Sequence, residues 1–348
     1  MNATDKNTTP LSPDGTFTVT GTPKKTESGL RIWRSRIFIL AFFNLFIFCF
    51  LSFMVQGKFL NWTNIKAIIS LMVYDLLLAS GMTFVLIMGG IDLSVGAQIA
   101  LESVVIALML RAGLPLALAL TAGLAVALLI GFFNGFIVNR FTLAPFLVTL
   151  GTQLICRGMA TVATQGQYIS FPRASRAFLT FGRYEIMLGR YGFSLILLLS
   201  VAAIIVFSFF LKNWNPLNEA FLIGANPEAA RLSGMNVTRM TIFAYMVCSI
   251  FAFLAAVFMT ANNRIGYANY GITYEMNAIA VSVVGGANMA GGKGSLMGTF
   301  LGVLMLAFIT NGFIMLGGNP NWQQAATGGV LLSAVALDAL TNRKGRGA

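Results

Sequence analysis

The chain has 348 residues, of which 57% are hydrophobic and only 10% charged, with a mean hydropathy of +0.79. Soluble domains carry about 25% charge, so this composition excludes a water-soluble fold and implies several membrane-crossing helices. The net charge of +12 does not signal nucleic acid, because the basic residues gather at the ends of apolar runs and form no stripe.

The chain contains no histidine, which removes His-based metal sites and a His general base. Cys49, Cys156 and Cys248 lie far apart in apolar runs. They read as small packing residues and not as a disulfide or metal framework. No metal or cofactor is expected. The 36 glycines suit close helix–helix approach in lipid.

Taken in chain order, residues 1–30 are rich in Thr, Ser, Pro, Gly and Lys, and read as a disordered tail too polar for a signal peptide. Apolar spans are predicted at about 37–55, 67–88, 94–111, 116–138, 143–164, 191–211, 240–261, 277–290, 294–316 and 323–340. The 277–290 run is short for a full crossing and reads as a half-helix that breaks at Gly285-Gly286. A basic tail, 341–348, follows the last span. The fold class expected is therefore an all-α integral membrane protein of about ten transmembrane helices.

Lys24, Lys25, Arg31, Arg34 and Arg36 flank the first span, and Arg343, Lys344 and Arg346 follow the last. Positive charge on the inner side makes both termini cytoplasmic. An even number of spans then makes the 212–239 loop cytoplasmic as well. The 165–190 loop is placed outside although it holds Arg173, Arg176, Arg183 and Arg190, so the charge rule is obeyed only weakly.

Gly89-Gly90 interrupts the second span, and Asp92 can cap the next helix, with Ser94 in its first turn. This is either a tight re-entry turn or a hinge between moving halves. Gly285-Gly286-Ala-Asn has the same shape as Gly89-Gly90-Ile-Asp, as expected of duplicated transporter halves or of chance between two Gly-rich turns. Gly294, Gly298 and Gly302 recur every four residues and read as one packing face, as do Gly131 and Gly135. Gly292-Lys293-Gly294 is no phosphate loop. The first glycine position holds Ala287, and Gly294 stands where Ser or Thr is needed.

Asp75, Glu102 and Arg157 fall inside apolar runs. A charge there needs a partner or a wet cavity. Two readings are open: a buried ion pair of Arg157 with Asp75 or Glu102, or a solute path to which Asn134, Asn139, Gln153 and Asn311 add hydrogen-bonding groups. Finally, Gly224-Ala-Asn-Pro-Glu-Ala-Ala-Arg-Leu-Ser-Gly234 is a polar island with the features of one short helix. Asn226 suits the N-cap, Pro227 the first turn, Glu228 the positive end and Gly234 the stop. Such a helix is either a solvated connector or something gripped from outside the membrane.

That island is similar to the coupling segment of the permeases of sugar-type ABC importers, the ribose/xylose/galactose branch. Gly89–Gly96 resembles a first signature of that family. Tyr274-Glu-Met-Asn-Ala-Ile-Ala280, with Gly285-Gly286 and Gly291-Gly292-Lys-Gly-Ser295, resembles a second. The match runs from about Ile68 to Asp338. It departs at Met276-Asn277, where many relatives have Leu-Asp, so a charge-dependent role there does not carry over.

The resemblance implies a type II-importer-like permease domain, 31–340, in a bacterial inner membrane. Two permease chains would form the path, a cytoplasmic ATPase would drive it, and a periplasmic sugar-binding protein would deliver the solute. Gly224, Asn226, Ala229, Ala230, Arg231 and Gly234 would seat in the ATPase, and the chain itself would not be an enzyme. The alternative is an ion-coupled secondary transporter using Asp75 and Glu102. The sequence does not name the solute.

Overall fold

The computed structural model describes residues 27–171, 176–189 and 191–319, with the isolated positions 322, 325, 328 and 329. The 323–340 span and the 341–348 tail of the sequence reading lie essentially outside the described residues, as do residues 1–26. Helix α1, Glu27–Met54, starts inside the stretch expected to be a disordered tail, so residues 27–30 are helical instead.

Among the described residues, seven helices are long and apolar enough to cross a membrane. They are α1, α2 (Trp62–Ile87), α4 (Leu116–Arg140), α5 (Pro145–Thr164), α7 (Leu195–Asn213), α10 (Val237–Asn263) and α12 (Leu296–Met315). The seventeen-residue α3, Val95–Arg111, and the eleven-residue α11, Tyr274–Val284, complete the bundle. At ~1.5 Å per residue, α11 covers roughly half a bilayer, as its short apolar run implied.

Burial divides the bundle into two shells. The apolar windows of α2, α10 and α12 are 72%, 72% and 67% buried, whereas that of α1 is only 11% and those of α4, α5 and α7 are 22%. Outer helices carry small residues where they meet the central ones. A Cβ at Gly131 of α4 would collide with the Met246 backbone of α10 at 2.7 Å, and one at Gly135 with the Ile242 backbone at 2.6 Å. The outer shell turns Phe132, Phe133 and Phe136 of α4 and Leu154, Ile155 and Val162 of α5 outward. Contiguous apolar surface of this kind belongs against lipid or another apolar chain.

Helix starts follow local chemistry. The side chains of Asn61, Asn226, Asn236 and Ser295 accept from the backbone N–H of Thr63, Ala229, Arg239 and Gly298, each closing an otherwise orphaned donor. The sequence reading missed several small elements. Strands β1 (Ile169–Ser170) and β4 (Ile265–Gly266) pair antiparallel, and β2 (Glu185–Leu188) forms a hairpin with β3 (Tyr191–Ser194). Helix α6 (Arg176–Phe181) precedes that hairpin, so α7 starts at 195 and not at 191. Helix α8 (Asn215–Ala225) leads into the six-residue α9 (Pro227–Leu232).

The glycine repeat needs one correction. Gly298 and Gly302 lie on α12 and would drive a Cβ into the carbonyls of Gly285 and Val281 on the α11 side. Gly294 precedes α12, which begins at Leu296, and abuts the Ile87 side chain. Only two of the three glycines therefore share a helix face. Thr83 of α2 joins α11 and α12 through its hydroxyl, which lies 3.0 Å from Ser282 Oγ and 2.7 Å from Thr299 Oγ1.

Candidate functional site

The polar island folds as its residues direct. Asn226 Oδ1 accepts from Ala229 N–H at 3.0 Å, and Pro227 opens α9 where its missing N–H costs nothing. At the other end Gly234 takes a φ of +83°. Its N–H donates to Arg231 O at 3.0 Å, and Met235 N–H donates to Ala230 O at 3.0 Å. This is a Schellman closure, in which a left-handed residue seals the last carbonyls.

Ala230 is the buried residue of α9 and packs with Ile223 and Val237. Glu228, Ala229 and Arg231 are exposed, and Leu232 is 87% exposed. Arg231 and Leu232 therefore stand side by side in solvent at the end of the capped helix, away from the chain's own core.

Behind α9 the chain is joined backbone to backbone. Gly224, near the end of α8, sits so close to Ile87 O and Gly292 N that any side chain would collide. Gly292 N–H donates to Ile87 O at 2.8 Å, satisfying a terminal carbonyl of α2. Gly291 abuts the Gly224 carbonyl, and Gly89 faces Ala290 and Gly291. The two glycine-rich turns therefore lie side by side at the end of the bundle that carries α9.

Both turns break as the sequence implied. Gly89 has a φ of +77° and Gly286 a φ of +101°, values that favour glycine. Asp92 differs from expectation. It does not cap α3; its Oδ1 accepts from Ser94 N–H at 2.9 Å and Ser94 Oγ–H at 2.5 Å, while Ser94 itself occupies the N-cap position. This short-range carboxylate turn competes with a side-chain cap.

Ser94 Oγ then accepts from Gln98 Nε2 at 2.8 Å and Asn134 Nδ2 at 3.0 Å, and Thr152 Oγ1 donates to Asn134 Oδ1 at 2.6 Å. Asp92, Ser94, Gln98 and Asn134 are fully buried. They form a polar network that ties the re-entry turn to α4 and α5. Gln98, Thr149 and Thr152 were missed in the sequence reading. For Thr149 and Thr152 the available signal was their three- and four-residue spacing with Cys156 and Ala160, which puts one face of α5 against α3.

The intramembrane charges do not pair as expected. Arg157 Nη1 donates to Ala268 O at 2.5 Å and to Tyr270 O at 2.6 Å, and Arg157 forms no ion pair with Asp75 or Glu102. The reason lies in residues 264–273, a non-helical segment between α10 and α11 that holds β4 and then runs on without regular structure. Gly266 backs onto Ser103 and Gly271 onto Gly96, so the segment descends along α3 for about 10 Å at 1.5 Å per residue. Irregular backbone at that depth must find internal donors, and the guanidinium supplies them. Gln153 Nε2 donates to Glu275 Oε1 at 3.1 Å, holding the start of α11 to the same helix, α5.

Glu102 is fully buried near Cys156, with both carboxyl oxygens unpartnered. Asp75 lies beside Asn277. Asn139 accepts from Thr238, and Asn311 donates to Asn64 at 2.8 Å near the far end of the bundle. Asp75, Asn134 and Asn311 thus have different hydrogen-bonding neighbours, and Arg157 pairs with neither Asp75 nor Glu102. Among the described residues no group of His, Cys, Asp and Glu is arranged to hold a metal.

A bundle of apolar helices with a re-entrant break and an exposed, capped surface helix defines a multi-pass membrane transport permease. The sequence profile of the branched-chain amino acid transport system / permease component family matches residues 64–335, and the chain belongs to that family.

Among curated proteins it is similar to the ribose import permease protein RbsC of Bacillus subtilis (strain 168). The two are 33% identical over 297 residues, covering 85% of this chain and 91% of the relative. The galactose/methyl galactoside import permease protein MglC of Haemophilus influenzae is 33% identical over 307 residues, covering 82% and 89%. The ribose import permease protein RbsC of that organism is 31% identical over 317 residues, covering 90% and 97%. No solved structure matches the chain. The family match supports the permease reading and lends nothing to the ion-coupled alternative.

Proposed function

We propose that the chain is the membrane subunit of an ATP-driven importer that passes a monosaccharide or sugar-like solute into the cell. The observation that carries this reading is α9, a surface helix capped at both ends, with Arg231 and Leu232 turned outward. An ion-coupled carrier has no use for such a helix. The ribose and galactose permeases among the relatives supply the solute class. The partners follow: a cytoplasmic ATPase gripping α9, a delivery protein on the outer face, and a second permease chain, identical or not, across the path. Both termini and the 212–239 loop are cytoplasmic in this reading, in a bacterial inner membrane.

ATP binding draws the two ATPase subunits together and displaces α9. The displacement passes through Gly224 to the end of α2 and to the 285–295 turn. Gly89, Gly90, Asp92, Gly285 and Gly286 serve as the hinges on which the path changes its open side, a domain-rocking switch of the kind that packed helices support. Asp75, beside Asn277 at the head of α11, is the polar group best placed to meet the solute.

The test is Arg231→Glu in the assembled transporter. Uptake and association with the ATPase should both fall, while yield and thermal unfolding of the permease stay at the wild-type level because Arg231 is exposed. Retention of both functions would remove α9 from the coupling path.

A further inference from the structure

At the end of the bundle opposite α9 lies a cavity of about 580 Å³, within the roughly 300–1,000 Å³ typical of small-molecule sites. One wall is the first three turns of α2, and the other is the β2–β3 hairpin with the start of α7. Asn262 and Asn263 at the end of α10 complete it. None of these residues belongs to the coupling surface or to the buried network around Ser94.

The lining has a particular chemistry. Trp62 packs edge-on against Phe193, with ring centroids 5.1 Å apart, which gives one apolar wall. Lys66 Nζ and Glu185 Oε1 are 2.6 Å apart and neutralise each other. The carboxamides of Asn262 and Asn263 lie beside the Tyr74 and Tyr270 hydroxyls, and each keeps further donor and acceptor positions. Arg183 adds donors, and its Nε lies 3.5 Å from Asn262 O.

Carboxamides match hydroxyl groups, which likewise donate and accept. A compensated ion pair offers both signs of partner without demanding a charged ligand, and an aromatic wall covers the C–H face of a ring. An ammonium group would call for net negative charge, and a phosphate for more than the single cation Arg183, whose Nε is turned to the Asn262 carbonyl.

We infer that this cavity is an outer reception site for a neutral monosaccharide, occupied between release by the delivery protein and passage through the membrane. Its floor is Tyr74, the residue preceding Asp75, so a solute held there stands directly above the proposed path. The inference rests on the import reading for which face is outermost. Affinity should be weak, because a reception site that holds its solute tightly blocks flux.

The experiment uses the full chain in nanodiscs with Trp62 as its only tryptophan, through Trp33→Phe, Trp214→Phe and Trp322→Phe. D-Ribose and D-galactose are the probes. A saturable millimolar change in Trp62 emission is expected with one of them. Asn262→Leu and, separately, Asn263→Leu should weaken it about ten-fold, the loss of one or two hydrogen bonds.

Silence of Trp62 toward both sugars, or a response that both asparagine variants leave intact, overturns the inference. A shift produced by the delivery protein without sugar also overturns it, since the cavity would then be a docking socket. Uptake by the assembled wild-type transporter separates the two levels. Silence with uptake of either sugar intact removes the cavity alone, and silence without uptake of either removes ribose and galactose from the import reading with it.

Discussion

Arg157 shows how a charge inside a membrane helix can be structural without an ion pair. Its partners are the carbonyls of Ala268 and Tyr270, exposed to it because residues 264–273 are not helical. Arg157→Leu should therefore destabilise the protein by about 1–3 kcal/mol for each carbonyl left unpaired, and neither Asp75→Asn nor Glu102→Gln should rescue it. Thermal unfolding of the single and double variants measures this, and rescue by either carboxylate variant would restore the ion-pair account. Glu102 predicts the opposite sign. Both its oxygens lack partners, so Glu102→Leu should leave stability unchanged or raise it, read from the same melting curves. The sequence showed that these residues were costly but not what they met. An arginine paired with backbone carbonyls is not legible as a pair of charged residues, and the break that exposes those carbonyls is set by tertiary contact at Gly266 and Gly271.

Among the elements, those specified by short-range chemistry were the legible ones. Helix α9 was readable from Asn226, Pro227 and Gly234 because caps and stops act within a few residues. The half-length of α11 was readable from an apolar run that ends at two glycines. The β2–β3 hairpin and the outer cavity were not readable, since strands of four residues carry almost no periodic signal and the cavity draws on residues from 62 to 263. Two element-level outcomes follow. Asn226→Ala should cost about 1 kcal/mol of helix stability and speed amide exchange across residues 227–233 in the purified permease, whereas Asn226→Asp should not. Gly298→Leu forces a side chain into the Gly285 carbonyl, and overpacking of this kind costs about 1–3 kcal/mol. A wild-type melting temperature and transport rate in that variant would mean that α12 can slide away from α11.

For the whole molecule, the decisive quantity is which end faces the cytoplasm. Cys156 and Cys248 are buried and Cys49 is exposed, so a Cys-free background disturbs few surfaces. In it, Leu232→Cys should react with a membrane-impermeant maleimide only after permeabilisation, while Leu188→Cys, on the hairpin at the opposite end, should react in intact spheroplasts. The reverse pattern would invert the molecule and with it the direction assigned to transport. Apolar composition and glycine content made the bundle legible, but the division into a buried inner shell and an outward-facing outer one emerges only from packing. The joint at Gly224 has a mechanical consequence. Side chains between two moving bodies act as springs, because their torsions yield before the load is passed on. Where Gly224 meets Ile87 and Gly291 there are no such torsions on the glycine side, and the linkage has almost no backlash. A displacement of α9 smaller than one rotamer change would still reach both turns undiminished, so such a transporter could work with a short stroke. A single methyl group at residue 224 would act as a wedge, holding the joint open.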